Sequence, residues 1–314
     1  MVEPMDEEPG LGTIPLERPA CPLCGETRAR PALDGEEDWI PDGASKGLRF
    51  AVLRCLGCGV GYTSPRLPEA AKHLAFAGAY PFYERARRAV APPSEGEMRA
   101  FDGRVREVTR AHPTPGTVLD IGMGDGAFLA SMRLQGWTVA VLDIEPSVVA
   151  YAKSRLGIPD CALADVELDP LPAGPFDAIT LWGMFQLAYH PQDLLEKLRA
   201  RLAPGGILAL GLSNFDSAGA KVFRSQWRGL GLPRHLVHYD ATSLRGLLER
   251  SGYQVLGLAY DTPGWIVNGS MDATLRLPGL LGGAARLSAR TAFGWLGGTR
   301  WGDTLTVVAA PGGS

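Results

Sequence analysis

Three groups of residues in this 314-residue chain have the types and spacing of working chemistry. The first is Gly122-Met123-Gly124-Asp125-Gly126, which follows the apolar run Thr117–Ile121 and precedes a helical stretch from Ala127. Glycines let a backbone turn sharply and approach a ligand, and the helix start offers free N–H groups. Asp143 stands 21 residues past Gly122, at the end of the next apolar run. A carboxylate there can accept both hydroxyls of a ribose. The pair marks a nucleoside site; the plainer alternative is a packing turn, with Asp143 capping the next helix.

The second group is Cys21-Pro22-Leu23-Cys24-Gly25 and Cys55-Leu56-Gly57-Cys58-Gly59, two matching knuckles. A two-residue gap turns both thiolates of a pair toward one ion, and four thiolates close a tetrahedral structural zinc site. Four chance thiols or a redox dithiol are the alternatives. The duplicated pairs and the absence of a thioredoxin-like pattern favour Zn2+ bound by Cys21, Cys24, Cys55 and Cys58. A zinc ion contributes on the order of 10–16 kcal/mol to a module too small to fold alone. Cys161 stands apart and reads as a core residue.

The third group lies in Trp227–Tyr239, which holds one Trp, two Arg, two His and one Tyr. His235 and His238 suit either of two roles. One deprotonates or orients an acceptor near neutral pH. The other fixes the loop through hydrogen bonds to backbone.

Strands alternating with helices would position these groups. Thr117–Ile121, Thr138–Leu142, Phe176–Trp182, Ile207–Leu212, Tyr253–Ala259 and Thr304–Ala309 read as strands. Ala127–Leu134, a helix opening at Pro146, Leu194–Leu202 and Thr242–Arg250 read as helices, with Ala203-Pro204-Gly205-Gly206 as a stop. Such alternation predicts an α/β fold: a doubly wound, mostly parallel, seven-stranded Rossmann-like sheet, with a small N-terminal zinc-ribbon-like module.

A methyl donor and a dinucleotide both fit Gly122-x-Gly124-x-x-Ala127. Asp120 would oppose a pyrophosphate but suits an ammonium. Only one glycine-turn unit is present, and one late strand follows a long excursion. These features favour the methyl donor. The rivals are an NAD-dependent oxidoreductase and a catalytically silent zinc- and cofactor-binding interaction module.

Val118 to Leu129 resembles the first motif of the class I S-adenosylmethionine-dependent methyltransferases, in the subgroup with an N-terminal four-cysteine module. The likeness runs on through Asp143, Asp165-Val166, Phe176-Asp177 and Leu202–Gly206, over residues 116–260. It implies S-adenosyl-L-methionine as cofactor and the following contacts. Asp143 and the adjoining Ile144 would hold the ribose side, and Asp165 and Val166 the adenine. Gly122, Gly124 and Gly126 would lie along the methionine part, near Asp120, Trp182 and Gly183. Where many members carry Glu-His after the fourth strand, this chain has Gln186-Leu187, which removes that histidine's proton-transfer role.

The expected organisation is a flexible leader over 1–18, a four-cysteine zinc-binding module over 19–65 and a helical linker or lid over 66–115. A methyltransferase core then spans 116–262 plus 303–311, and an insert over 263–302 covers the acceptor. Tyr80, Phe82 and Tyr83 could form an aromatic lid, and Trp265 and Trp295 suggest an apolar or amphipathic acceptor. The net charge of −3 gives no global pull toward nucleic acid or an anionic membrane, so the expected partner is a small molecule. No apolar run long enough for a bilayer and no signal peptide are evident, and a cytoplasmic location is expected. The oligomeric state is left open.

Overall fold

A computed structural model of the chain describes residues 16–36, 49–76, 83–88, 90–275 and 279–312. Tyr80, Phe82 and residues 1–15 of the expected leader lie outside them. Strands β1 (Ala29–Glu36), β2 (Arg49–Cys55) and β3 (Gly61–Thr63) pair antiparallel. A 3-10 helix (Glu69–Phe76) and helices α1 (Glu84–Arg87), α2 (Glu95–Arg99) and α3 (Asp102–Ala111) follow.

The core opens with β4 (Thr117–Ile121), α4 (Ala127–Leu134), β5 (Thr138–Asp143), α5 (Pro146–Ser154) and β6 (Cys161–Leu163). It continues through β7 (Phe176–Trp182), α6 (Pro191–Arg199), β8 (Leu202–Ser213), α7 (Ala218–Phe223) and β9 (Val237–His238). It closes with α8 (Ala241–Arg250), β10 (Tyr253–Asp261), α9 (Gly264–Leu275), α10 (Gly279–Gly297) and β11 (Thr304–Pro311).

Seven strands form one sheet in the order β10-β11-β8-β7-β4-β5-β6, with β11 antiparallel to both neighbours and the β8-β7-β4-β5-β6 pairs parallel. The expected doubly wound sheet is therefore present. Both faces are covered, which is why its central strands read as continuous apolar runs rather than alternating ones. Leu119, Ile179 and Leu208 enter one apolar cluster, while Val118, Ala178 and Ile207 enter the cluster on the other face. Strand order reverses between β4 and β7, and a ligand crevice belongs beyond their carboxyl ends.

Two departures have local causes. Ala203-Pro204-Gly205-Gly206, expected as a stop, lies inside β8, because Leu202 pairs with Phe176 ahead of a register shift and pairing resumes at Ile207. The preceding helix ends at Arg199 instead. The cysteine module's sheet is completed by β9, which pairs Val237 with Tyr62 and His238 with Gly61. Cys21, Leu23, Cys55, Val60 and Tyr62 share one apolar cluster with Leu119, Ile179 and Leu181 of the main sheet. Module and sheet thus have a common core.

Candidate active site

Two adjoining cavities lie at the carboxyl ends of β4, β5 and β7. The first is walled by Leu142, Asp143, Ile144, Asp165, Val166 and Leu187, and the 3-10 helix contributes Lys72, Ala75 and Phe76. The second, about 1230 Å³, is walled by Gly122–Asp125, Trp182, Gly183, Phe101, Arg104, His235, Tyr260 and Trp265. Gly122, Asp143, Met184, Tyr83 and Arg234 line both. Tyr83, the one lid aromatic among the described residues, is buried there.

The glycine loop has the shape of a cradle. Gly124 has φ +61° and Gly183 has φ +78°, and a Cβ on either would meet nothing within 4 Å. Both face the large cavity, so backbone is bare where a ligand would pass closest. Met184 packs over Gly122, with its Cγ 2.5 Å from where a Cβ would stand. Gly126 does something else: it caps α4 under Leu156 and lines neither cavity.

Asp143 is buried, yet both oxygens are held by backbone N–H donors, Oδ2 by Met123 at 3.1 Å and Oδ1 by Glu145 at 3.0 Å. Burial pushes its pKa up to about 6 against the pull of those donors. Asp143 lines both cavities, and a carboxylate has lone pairs beyond these two bonds, so the site can accept a pair of ligand hydroxyls.

Asp165 lines the first cavity but is engaged: Lys72 Nζ lies 2.6 Å from Oδ2, and Oδ1 accepts from the N–H groups of Glu167 and Leu168. Burial raises its pKa, but the Lys72 contact and the backbone donors outweigh it and leave the group below the ordinary value. Val166 and the partly exposed Ile144 complete that wall.

Asp120 sits behind the wall and lines neither cavity. Its Oδ1 accepts from the Thr180 hydroxyl at 2.5 Å, and burial raises its pKa to about 7. The cation facing it is Arg104, which the sequence did not single out. The guanidinium lies over the rings of Phe101 and Trp182, at 4.9 and 5.2 Å, and makes no hydrogen bond or ion pair among the described residues. Burial lowers its pKa, offset by Asp120, Asp261 and Asp125. A guanidinium stays charged in proteins and presents five planar donors, a match for a carboxylate entering the cavity. Trp182 Nε1 is also buried without a partner among the described residues.

The two histidines part company. His238 lines neither cavity; Thr63 donates its hydroxyl to the His235 carbonyl at 2.6 Å and accepts from His238 Nε2–H at 2.9 Å. His238 thus ties β9 to β3. His235 does line the large cavity, but its ring is fully bonded. Ser213 N–H donates to Gln186 Oε1 at 3.1 Å, which leaves Gln186 Nε2 to donate to His235 Nε2 at 2.7 Å. His235 Nδ1–H donates in turn to the Gly229 carbonyl at 3.2 Å. Burial, with Arg234 beside it, drops the His235 pKa to about 3. Burial and His235 hold His238 well below its usual range.

The cysteines converge. All four Sγ atoms lie within 4.8 Å of one another, with Cys21–Cys58 at 3.6 Å and Cys24–Cys55 at 3.5 Å. Tetrahedral Zn–S bonds of about 2.3 Å require S–S edges of about 3.8 Å, so the set fits zinc. The N–H groups of Gly57 and Cys58 donate to Cys55 Sγ, the outer support that thiolate ligands use. Cys161 is half-buried, and its Sγ donates to the Ile158 carbonyl.

Residues 95–258, just over half of the chain, match the family model described as a methyltransferase domain. A malonyl-[acyl-carrier protein] O-methyltransferase of Enterobacter lignolyticus is 28% identical over 148 residues, 46% of this chain and 58% of that protein. A ubiquinone biosynthesis O-methyltransferase of Xanthomonas axonopodis pv. citri is 30% identical over 166 residues, 48% of this chain and 70% of the other. A tRNA 5-carboxymethoxyuridine methyltransferase of Escherichia coli O157:H7 is 27% identical over 203 residues, 55% and 74% of the two chains. The chain thus spans between about three-fifths and three-quarters of the length of these relatives.

Among solved structures, the Burkholderia thailandensis 1,6-didemethyltoxoflavin-N1-methyltransferase with bound S-adenosylhomocysteine shares the fold. Its TM-score is 0.51 at 14% identity, covering 84% of this chain and 96% of that one. The matched segment carries the glycine loop, Asp143 and the switch point described above, and the oxidoreductase alternative falls away. By its sequence match and its sheet order, the chain belongs to the methyltransferase-domain family and is a class I S-adenosylmethionine-dependent methyltransferase.

Proposed function

We propose that the chain methylates a small molecule with an apolar or aromatic body, bound in the large cavity beside the glycine loop. The observation that carries this reading is the cavity itself. It holds about 1230 Å³, opens directly off Gly122–Asp125 and is walled by Phe101, Trp182, Tyr260 and Trp265. Pockets of this kind take ligands by apolar contact with a few placed polar groups. The tRNA-directed relative keeps a nucleic-acid acceptor as the alternative.

S-adenosylmethionine, when bound, supplies a sulfonium methyl group for in-line transfer to a nucleophile. Asp143 would accept from the ribose hydroxyls, and Asp165 with Val166 would border the adenine, with Lys72 holding Asp165 in place. Gly124 and Gly183 would leave bare backbone along the methionine part, and Arg104 would receive its carboxylate. Asp120 acts one layer back, orienting Thr180 and balancing Arg104. Holding donor and acceptor in line accounts for about 7–11 kcal/mol of the barrier.

The state of His235 bears on which group moves a proton. His235, the one histidine on the wall of the large cavity among the described residues, has its Nε2 lone pair taken by Gln186 and a pKa of about 3. A base that weak does not serve near neutral pH. We therefore infer that His235 is not the base, and that Glu107, Asp125 and Asp261 on the same wall are the groups placed to take a proton from an acceptor that loses one. His235 shapes the wall, and His238 holds the module. The test is a screen for S-adenosylhomocysteine release over aromatic amines, carboxylates, phenols and unmodified tRNA. Turnover with one of the small-molecule classes supports the reading. Turnover with tRNA alone refutes it.

A further inference from the structure

The outward face of α10 is unlike an ordinary exposed helix face. Its inner side rests on the protein, with Phe293 stacked on Phe223 at 5.4 Å. Its outer side carries Leu287, Thr291 and Trp295 at i, i+4 and i+8, one above another. Leu287 is 67% exposed and Trp295 is 83% exposed, and the neighbouring Ala284 and Ser288 are exposed and uncharged. Water-facing helix sides normally carry charge. Here the charge flanks the stripe instead.

Residues 263–302 contain Arg276, Arg286, Arg290 and Arg300 against Asp272 alone, a net +3, whereas the chain as a whole is −3. Asp272 is taken up by Arg286 at 2.5 Å. Arg290 is exposed and makes no ion pair among the described residues. Its Nε stands 3.2 Å from where a Cβ of Gly264 would be, and Gly264 and Trp265 line the large cavity. An apolar stripe with a tryptophan, a cation beside it and the cavity wall are therefore neighbours.

We propose that the outward face of α10 docks on an anionic lipid bilayer, with Trp295 and Leu287 entering the headgroup region and Arg290 meeting lipid phosphate. An interfacial helix of this kind shows an apolar side bearing Trp and Leu, arginine on its flanks and no acidic residue. No described helix is long and apolar enough to cross a membrane, so the helix lies on the surface. A second copy of the chain is the poorer occupant. A two-fold contact sets the same face against itself, which brings Arg290 against its own copy, while an anionic bilayer neutralises it. Docking brings the wall of the large cavity to the lipid surface.

The experiment is flotation of the 314-residue, zinc-loaded chain with vesicles of phosphatidylcholine alone and of phosphatidylcholine with about 30% phosphatidylglycerol. Neither needs an acceptor, so the result is independent of the reading of the cavity. The protein should float with the anionic vesicles and much less with the neutral ones. Arg290→Gln should weaken partitioning about fivefold. The double variant Leu287→Ser/Trp295→Ser should weaken it at least about tenfold, as both side chains lose their apolar burial. Both variants alter exposed positions and should keep the parent's melting temperature and S-adenosylhomocysteine affinity. Failure to float with anionic vesicles overturns the proposal, as does undiminished flotation of the double variant. A concentration-dependent dimer abolished by Trp295→Ser overturns it in favour of self-association.

Discussion

Replacing Arg104 tests the least expected part of the cofactor site. The guanidinium stands over Trp182 and Phe101 with its donors unpaired among the described residues, and the opposing charge of Asp120 lies behind the cavity wall. If it receives the cofactor's carboxylate, the contact is a charge-assisted pair worth roughly 1.5–3 kcal/mol, or about 10- to 150-fold in affinity. Arg104→Met is the suitable variant, because it keeps an apolar stem on the two rings. Isothermal titration with S-adenosylhomocysteine should show that loss. 5′-Methylthioadenosine, which has the adenosine and sulfur but no amino-acid end, should bind parent and variant alike. Arg104→Lys should fall between, since an ammonium keeps the charge but not the planar fork. Equal affinity for S-adenosylhomocysteine in a folded Arg104→Met protein would refute the assignment. So would an equal loss for both ligands, which would mean that Arg104 only shapes the pocket.

Other expectations follow from the same geometry. One equivalent of zinc should copurify with the chain, and Cys55→Ala should lose it; full zinc content in that variant rules out the ligand set. Because β9 completes the module's sheet, zinc removal should lower a single cooperative melting transition by calorimetry, and two separate transitions would contradict the common core. In the free protein Asp143 gains a proton as pH falls through about 6, and the ribose hydroxyls need its ionised form. Affinity for S-adenosylhomocysteine should therefore fall below that pH by up to about tenfold per unit, and Asp143→Asn should bind weakly with most of that dependence gone. His235 is neutral in the fold with a pKa of about 3, well below its unfolded value. Its contribution to stability is thus present above about pH 6.5 and lost as pH falls. His235→Gln and His238→Gln should lower the melting temperature near neutral pH, lessen the acid lability and keep turnover within a few-fold of the parent. A loss of about a hundredfold in turnover with cofactor affinity intact would restore His235 as the base.

Much of the sheet was legible because its signals are local. Thr117–Ile121 and Phe176–Trp182 are buried on both faces, so their apolar runs mark them, and the structure gives them those same bounds. The glycine loop and Asp143 were equally plain, because a strand, a turn and a helix start follow one another in the chain. What stayed hidden is long-range. Val237 and His238 form a two-residue strand whose partners lie some 175 positions earlier, too short to show a period. Arg104 sits on an ordinary amphipathic helix among other arginines, and only its placement over Trp182 distinguishes it. The polar density of Trp227–Tyr239 pointed to acceptor chemistry. In three dimensions much of it is spent on fixing structure: Trp227 Nε1 donates to Asp303, and His238 bonds to Thr63.

The central claim is that one continuous crevice at the carboxyl ends of β4, β5 and β7 holds the methyl donor with its methyl directed into the large cavity. A crystal structure of the zinc-loaded protein with S-adenosylhomocysteine tests it most directly. The account predicts ribose hydroxyls on Asp143, adenine beside Val166, the carboxylate on Arg104 and the sulfur open to the space between Trp182 and Tyr260. Bound ligand elsewhere, or a sulfur sealed from that cavity by Met184, would contradict it.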